Sequence, residues 1–82
     1  MLCPKIKSVE TIDDHTFLVE FDNARKRQYE VTPLLKREMF APLMNPALFK
    51  SVHVEQGGYA VVWNREIDLS EFEIWSNGQT TV

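Results

Sequence analysis

Residues 57–78 read GGYAVVWNREIDLSEFEIWSNG, and this stretch decides the fold. Alternation at Tyr59, Val61 and Trp63 predicts a strand with these three on one face and Ala60 and Val62 on the other. Both faces are largely apolar, so the strand is expected inside a sheet rather than at its rim. Gly57 and Gly58 suit the positive φ angles of a two-residue turn, which makes residues 52–56 the first arm of a hairpin. Ser70 then opens a helix. Ser70 and Glu73 have capping-box spacing, and Leu69 can staple onto Ile74. Glu71 and Glu73 suit the positive end of the helix dipole. Gly78, after Asn77, is the expected stop.

Upstream, Phe17, Val19 and Phe21 alternate in TFLVEFD, and Tyr29 and Val31 share one face of the returning strand. Together they predict a second hairpin. Its turn holds Asn23, which tolerates positive φ, and Ala24, which does not, so a turn longer than two residues is expected. Residues 5–12 form an earlier strand. Ile6 and Val9 fall on opposite faces there, which points to an edge strand or a bulge. Thr32-Pro33 reads as a helix start running through Leu34, Leu35 and Met39, with Pro42 as its end. Asn45-Pro46 starts another turn or two, through Phe49. Helices this short need a sheet to hold them, and Leu35, Met39, Phe40, Leu43, Leu48 and Phe49 are the side chains expected to dock. The fold class is α+β: an antiparallel sheet of about five strands with two or three short helices packed mainly on one face.

With 82 residues, one domain over residues 1–82 is expected, with 79–82 as a frayed tail. Apolar residues make up 44% and charged residues 26%, the balance of a globular chain rather than a disordered one. The net charge of −3 argues against direct nucleic-acid binding, which calls for a basic face. The charge is uneven. Residues 1–50 carry 8 basic and 7 acidic groups, net +1, and residues 51–82 carry 1 basic and 5 acidic groups, net −4. The acidic half suits a basic partner. A lone Cys3 excludes an internal disulfide and fits a reducing compartment. No apolar run is long enough for a membrane helix, and the N-terminus lacks a signal-peptide core. A cytoplasmic location is expected.

Chemical motifs are sparse. His15 beside Asp13 and Asp14 reads as a solvated turn, and His53 lies too far along the chain to complete a zinc signature. Cys3, next to Pro4 at a chain end, makes a poor nucleophile. No phosphate-cradling loop is present. Arg25, Lys26 and Arg27 form a basic cluster on a hairpin that either contacts phosphate or an acidic partner or, as is usual for charges on a hairpin, is solvated. No catalytic, cofactor-binding or metal residue is assigned. The candidate partner or ligand surface is Trp63, Asn64, Arg65, Glu66 and Asp68. Asn64 and Asp68 either fix the connection by bonding backbone amides or line a groove beside Trp63, a residue type enriched at hot spots.

The strand pair ending LVEFDN, the VTPLL helix start, the FAPLMNPALFKSV segment and the GGYAVVWNREIDLS block together resemble the domain of unknown function 2442, DUF2442, a family of small bacterial proteins. The likeness runs through nearly the whole chain. It departs at Ala24, where the family usually has glycine. The resemblance implies a compact α+β domain, often encoded beside a second small family in a pair suggested to be toxin and antitoxin. Some relatives carry an added helix-turn-helix domain, for which no room is expected here. No catalytic residues are implied. The expected function is therefore non-catalytic protein binding, with an antitoxin-like role as its specific form and a small basic protein encoded nearby as partner. The rival is a small-molecule binding module with a groove near Trp63. A small enzyme is disfavoured by the lack of a convergent acid-base set.

Overall fold

The computed structural model describes residues 3–81. Among the described residues seven strands form two antiparallel sheets in place of the single sheet of about five strands expected. β1 (Ile6–Thr11), β2 (Thr16–Phe21), β3 (Lys26–Glu30) and β7 (Gln79–Thr80) make one, in the order β1-β2-β3-β7. β4 (His53–Val54), β5 (Ala60–Val62) and β6 (Asp68–Ser70) make the other, in that order. The fold class is α+β as expected, and β5 is central.

In the larger sheet the alternation of β2 turns Phe17, Val19 and Phe21 fully inward. Phe17 lies opposite Tyr29 and Val19 opposite Val9. β1 is at the rim and its register shifts between Ile6 and Ser8, which lets Ile6 and Val9 both reach the core despite their spacing. The β2–β3 loop is Asp22-Asn23-Ala24, closed by Phe21 N–H to Arg25 O at 2.8 Å and Ala24 N–H to Phe21 O at 3.0 Å. The positive φ falls on Ala24, at 69°, rather than on Asn23. The Asn23 side chain instead accepts a bond from Arg25 N–H.

The expected helix at Thr32-Pro33 is two 3-10 helices, Thr32–Lys36 and Glu38–Met44, broken where Arg37 turns extended at ψ 134°. Thr32 lies inside the first, and Pro42 lies inside the second rather than ending it. Bonds to the third residue back, such as Leu34 N–H to Val31 O and Phe40 N–H to Arg37 O, tolerate interruptions that an α-helical ladder would not. The tighter winding buries Phe40 and Leu43 but leaves Met39 50% exposed. Asn45 caps α1 (Pro46–Phe49) by accepting from Ala47 N–H at 3.0 Å, and Phe49 enters the core.

The β4–β5 loop spans residues 55–59, longer than the two-residue turn expected. Gly58 N–H donates to Glu55 O at 2.9 Å, and Gly57 and Gly58 have φ of 93° and 77°. Tyr59 is thereby released to solvent while Val61 and Trp63 stay buried. The loop docks on β1: Ile6 N–H donates to Gly58 O at 2.8 Å. A Cβ on Gly58 would lie 2.5 Å from Ile6 O, so glycine is required there for φ and for space alike.

α2 (Glu71–Asn77) is capped as expected, with Ser70 Oγ accepting from Glu73 N–H at 3.1 Å. It ends at Gly78, though φ there is −71°. Glycine serves close approach instead: a Cβ would lie 2.6 Å from Ile74 O and 3.1 Å from Arg27 Cβ. The chain then pairs with β3, Gln79 against Gln28 and Thr80 against Arg27. Gln79 and Thr80 are thus strand rather than frayed tail; Val82 lies outside the described residues.

Trp63 joins the two sheets. Its ring is 4% exposed, edge-on to Phe17 at 5.8 Å and stacked on Phe49 at 6.0 Å. Its Nε1–H donates to Phe49 O at 3.0 Å. Trp63→Ala is expected to cost about 3–5 kcal/mol in a urea melt; a loss below about 1 kcal/mol would mean that the core closes without the ring. Ala24→Gly is expected to gain about 1 kcal/mol, the left-handed penalty less the flexibility glycine adds to the unfolded chain. An unchanged melting midpoint would show that the turn carries no such penalty.

Candidate functional site

The five residues proposed from sequence separate by role. Trp63 is core, so its ring is removed from the expected surface. Asn64 Oδ1 accepts from Glu66 N–H at 2.8 Å and Ile67 N–H at 3.0 Å, and Trp63 N–H closes the turn on Ile67 O. Asn64 therefore shapes the connection, the first of its two readings. Arg65 and Glu66 stand exposed at the turn. Asp68, exposed on β6, faces a cleft on the other side of the strand.

That cleft has a volume of about 370 Å³ and is lined by Leu34, Arg37, Phe40, Asp68, Leu69, Ser70 and Glu73. The 3-10 helices form one wall, and β6 with the first turn of α2 forms the other. Phe40 and Leu69 are buried in its floor and Leu34 is half-buried, while Arg37, Asp68 and Ser70 are exposed. Tyr29 O–H donates to Glu73 Oε2 at 2.8 Å, which ties α2 to β3. Burial, and then the Glu73 carboxylate that accepts its proton, push the Tyr29 hydroxyl well above its ordinary value. Sequence reasoning missed Arg37 and assigned Glu73 to the helix cap. The signal available for Glu73 was its half-turned position, one residue before the buried Ile74.

A larger, more open concavity of about 560 Å³ lies by the β2–β3 hairpin, lined by residues including Leu18, Arg25, Lys26, Arg27, Gln28 and Thr80. Arg27 lies 4.1 Å over the Trp75 ring and donates to Trp75 O at 3.4 Å, so part of the basic cluster is held by packing. Arg25 and Lys26 are exposed. His15 N–H donates to Asp13 Oδ1 at 2.8 Å, and this bond holds the Asp13 carboxyl below its usual range. That region is a turn, as the sequence indicates. Among the described residues no helix is long and apolar enough to cross a membrane.

The family model described as "Protein of unknown function (DUF2442)" matches residues 6–80. The chain belongs to the DUF2442 family. No curated protein matches it. Among solved structures, the "Putative DNA Binding Protein" of Nitrosomonas europaea is similar, with a TM-score of 0.79 and 22% identity over 92% of this chain. This chain spans 48% of that one. At this identity the likeness shows the fold. It also overturns the expectation that direct nucleic-acid binding can be set aside, because a protein named for DNA binding carries this domain's architecture. Net charge does not fix where charges sit: a chain at −3 can still place Arg25 and Lys26 together on one exposed hairpin.

The Tyr29–Glu73 bond has a pH signature. The unfolded chain loses the tyrosine proton near its ordinary value of 10.0 while the folded chain keeps it. The stabilisation is full below that pH and falls as pH rises beyond it. Tyr29→Phe is expected to cost about 1–2 kcal/mol at pH 7, by leaving Glu73 without its donor. It should also flatten the decline of the wild-type melting midpoint above about pH 10. Parallel alkaline limbs in the two proteins would show that Tyr29 does not titrate differently on folding.

Proposed function

We propose that this chain is a non-catalytic protein-binding module of the bacterial cytoplasm, antitoxin-like in its specific form, that engages its partner in the cleft between the 3-10 helices and β6–α2. One observation carries the reading. The cleft sets Arg37 across from Asp68 and Glu73 over an apolar floor of Leu34, Phe40 and Leu69, and an apolar centre with a polar rim is how protein interfaces are built. Its walls belong to elements held by the core, so little ordering is left for the moment of binding. The small-ligand alternative relied on a groove beside Trp63, whose ring is enclosed.

A second reading, contact with nucleic acid, is favoured by the exposed Arg25 and Lys26 beside the larger concavity and by the name of the Nitrosomonas protein. Since this chain spans about half of that protein, the hairpin would add phosphate contacts to a surface supplied in part elsewhere.

Co-expression with the polypeptide encoded beside it, followed by co-purification and titration calorimetry, tests the first reading. Asp68→Lys is expected to weaken the complex by about tenfold or more while circular dichroism stays unchanged. Equal affinity would move the interface away from the cleft, and absence of a complex would remove the protein-binding reading. Duplex DNA titrated at two salt concentrations tests the second. Binding that is lost in the Arg25→Glu, Lys26→Glu double variant and weakens with salt would favour it.

A further inference from the structure

The edge of the smaller sheet inside the cleft has free backbone groups. β6 pairs with β5 through Ala60–Ser70, Val61–Leu69 and Val62–Asp68. On either side of these, Trp63 N–H donates to Ile67 O and Glu71 N–H donates to Tyr59 O. Hydrogen-bonded and non-bonded pairs alternate in an antiparallel ladder. Val61–Leu69 is therefore the bonded pair between those two. Asp68 and Ser70 turn their N–H groups, and Asp68 its C=O, away from β5.

Nothing among the described residues takes these groups. A complete capping box would satisfy Ser70 N–H with the Glu73 carboxylate, but that carboxylate accepts the Tyr29 hydroxyl instead. Asp68 and Ser70 are both exposed. Two donors and an acceptor thus line the strand at alternate positions, the spacing an added strand would match. Unlike β1, whose first residue is bonded by the Gly58 loop, β6 has no loop bonded along this side. It also lacks the lysine or proline that often guards an open edge.

We propose that this edge accepts an extended segment of a partner polypeptide as a fourth strand beside β6, with a basic side chain of that segment set toward Asp68 and Glu73. The inference rests on the reading of the domain as a protein-binding module and specifies how that site is used. Main-chain bonds to Asp68 and Ser70 hold the segment, and the flanking side chains select it. Two carboxylates against the single Arg37 make the cleft acidic, in keeping with net −4 over residues 51–82. The Leu34 and Phe40 wall receives an apolar side chain of the segment.

Random decapeptides displayed on phage and selected on the intact protein supply the probes. Enriched peptides are expected to carry Lys or Arg beside apolar residues. Once resynthesised, they should slow amide exchange at Asp68 and Ser70 by roughly tenfold or more when bound. Asp68→Pro removes an outward donor without breaking a β5–β6 bond and should weaken binding by about tenfold. Asp68→Asn keeps the amide and should weaken it less. Exchange in the wild-type protein decides the matter even if the proline variant does not fold. Peptides that bind without protecting these amides, or that bind a folded Asp68→Pro variant normally, would overturn strand addition and leave the protein-binding reading intact. No enrichment over a blank support would overturn both. Concentration-dependent dimerisation with the same amides protected would replace the partner segment by a second copy of this chain.

Discussion

The indole of Trp63 is the constraint on which the rest depends. A buried ring of this size must find a partner for its N–H, and it finds one in the Phe49 carbonyl at 3.0 Å. That carbonyl is in place because α1 ends there, and α1 begins where it does because Asn45 caps it. The ring also meets Phe17, the fully buried centre of the larger sheet, and Phe17 stacks on Tyr29 at 5.5 Å. One side chain therefore sets β5 against both β2 and α1. Nine aromatics in 82 residues suit such an arrangement, since a chain this short has few other ways to fill a core shared by two sheets.

Around that centre the two sheets are held by a backbone contact rather than by a continuous ladder. Ile6 N–H reaches Gly58 O, and no other residue type fits at Gly58. Lys5 reinforces the junction, with Nζ 4.3 Å from the Tyr59 ring and 3.9 Å from Glu71 Oε2. That oxygen is buried and makes no hydrogen bond, so the lysine charge is its principal compensation. The geometry is too long for a hydrogen bond, and Lys5 is partly solvated, so the pair contributes orientation more than energy.

What could be read in advance was whatever depends on near neighbours in the chain. Alternation at Phe17, Val19 and Phe21, the Asn45-Pro46 start and the Ser70 cap are local signals, and each appears in the structure. Pairings between distant residues were not legible. β7 has only two residues, too few for any period, and it exists because Gly78 lets the chain pass close to Arg27. The division into two sheets follows from the Gly58 loop meeting β1 at Ile6, far back along the chain. Around Pro33 and Pro42 the residue types signalled helix, but the core required Leu34, Phe40 and Leu43 at spacings that 3-10 winding meets and an α-helix does not, which left Met39 outside. At the site, Asp68 was visible as a carboxylate in the short polar connection that follows Trp63. Arg37 gave no signal, since a charge between two short helices looks like any solvated charge.

The placement of Glu73 links stability to the open edge. The same carboxylate has two possible duties: closing the capping box at Ser70, or accepting the hydrogen bond of the buried Tyr29 hydroxyl. An unpartnered hydroxyl inside the core costs more than an amide at a solvated strand edge, which water can satisfy. The tyrosine therefore takes precedence, α2 keeps only one arm of its cap, and Ser70 N–H stays available. On this argument the free edge of β6 is a consequence of how the core is satisfied. A strand edge held open by a buried bond keeps its donors fixed in direction whether or not a partner is present, which makes it suited to recognition rather than to further folding.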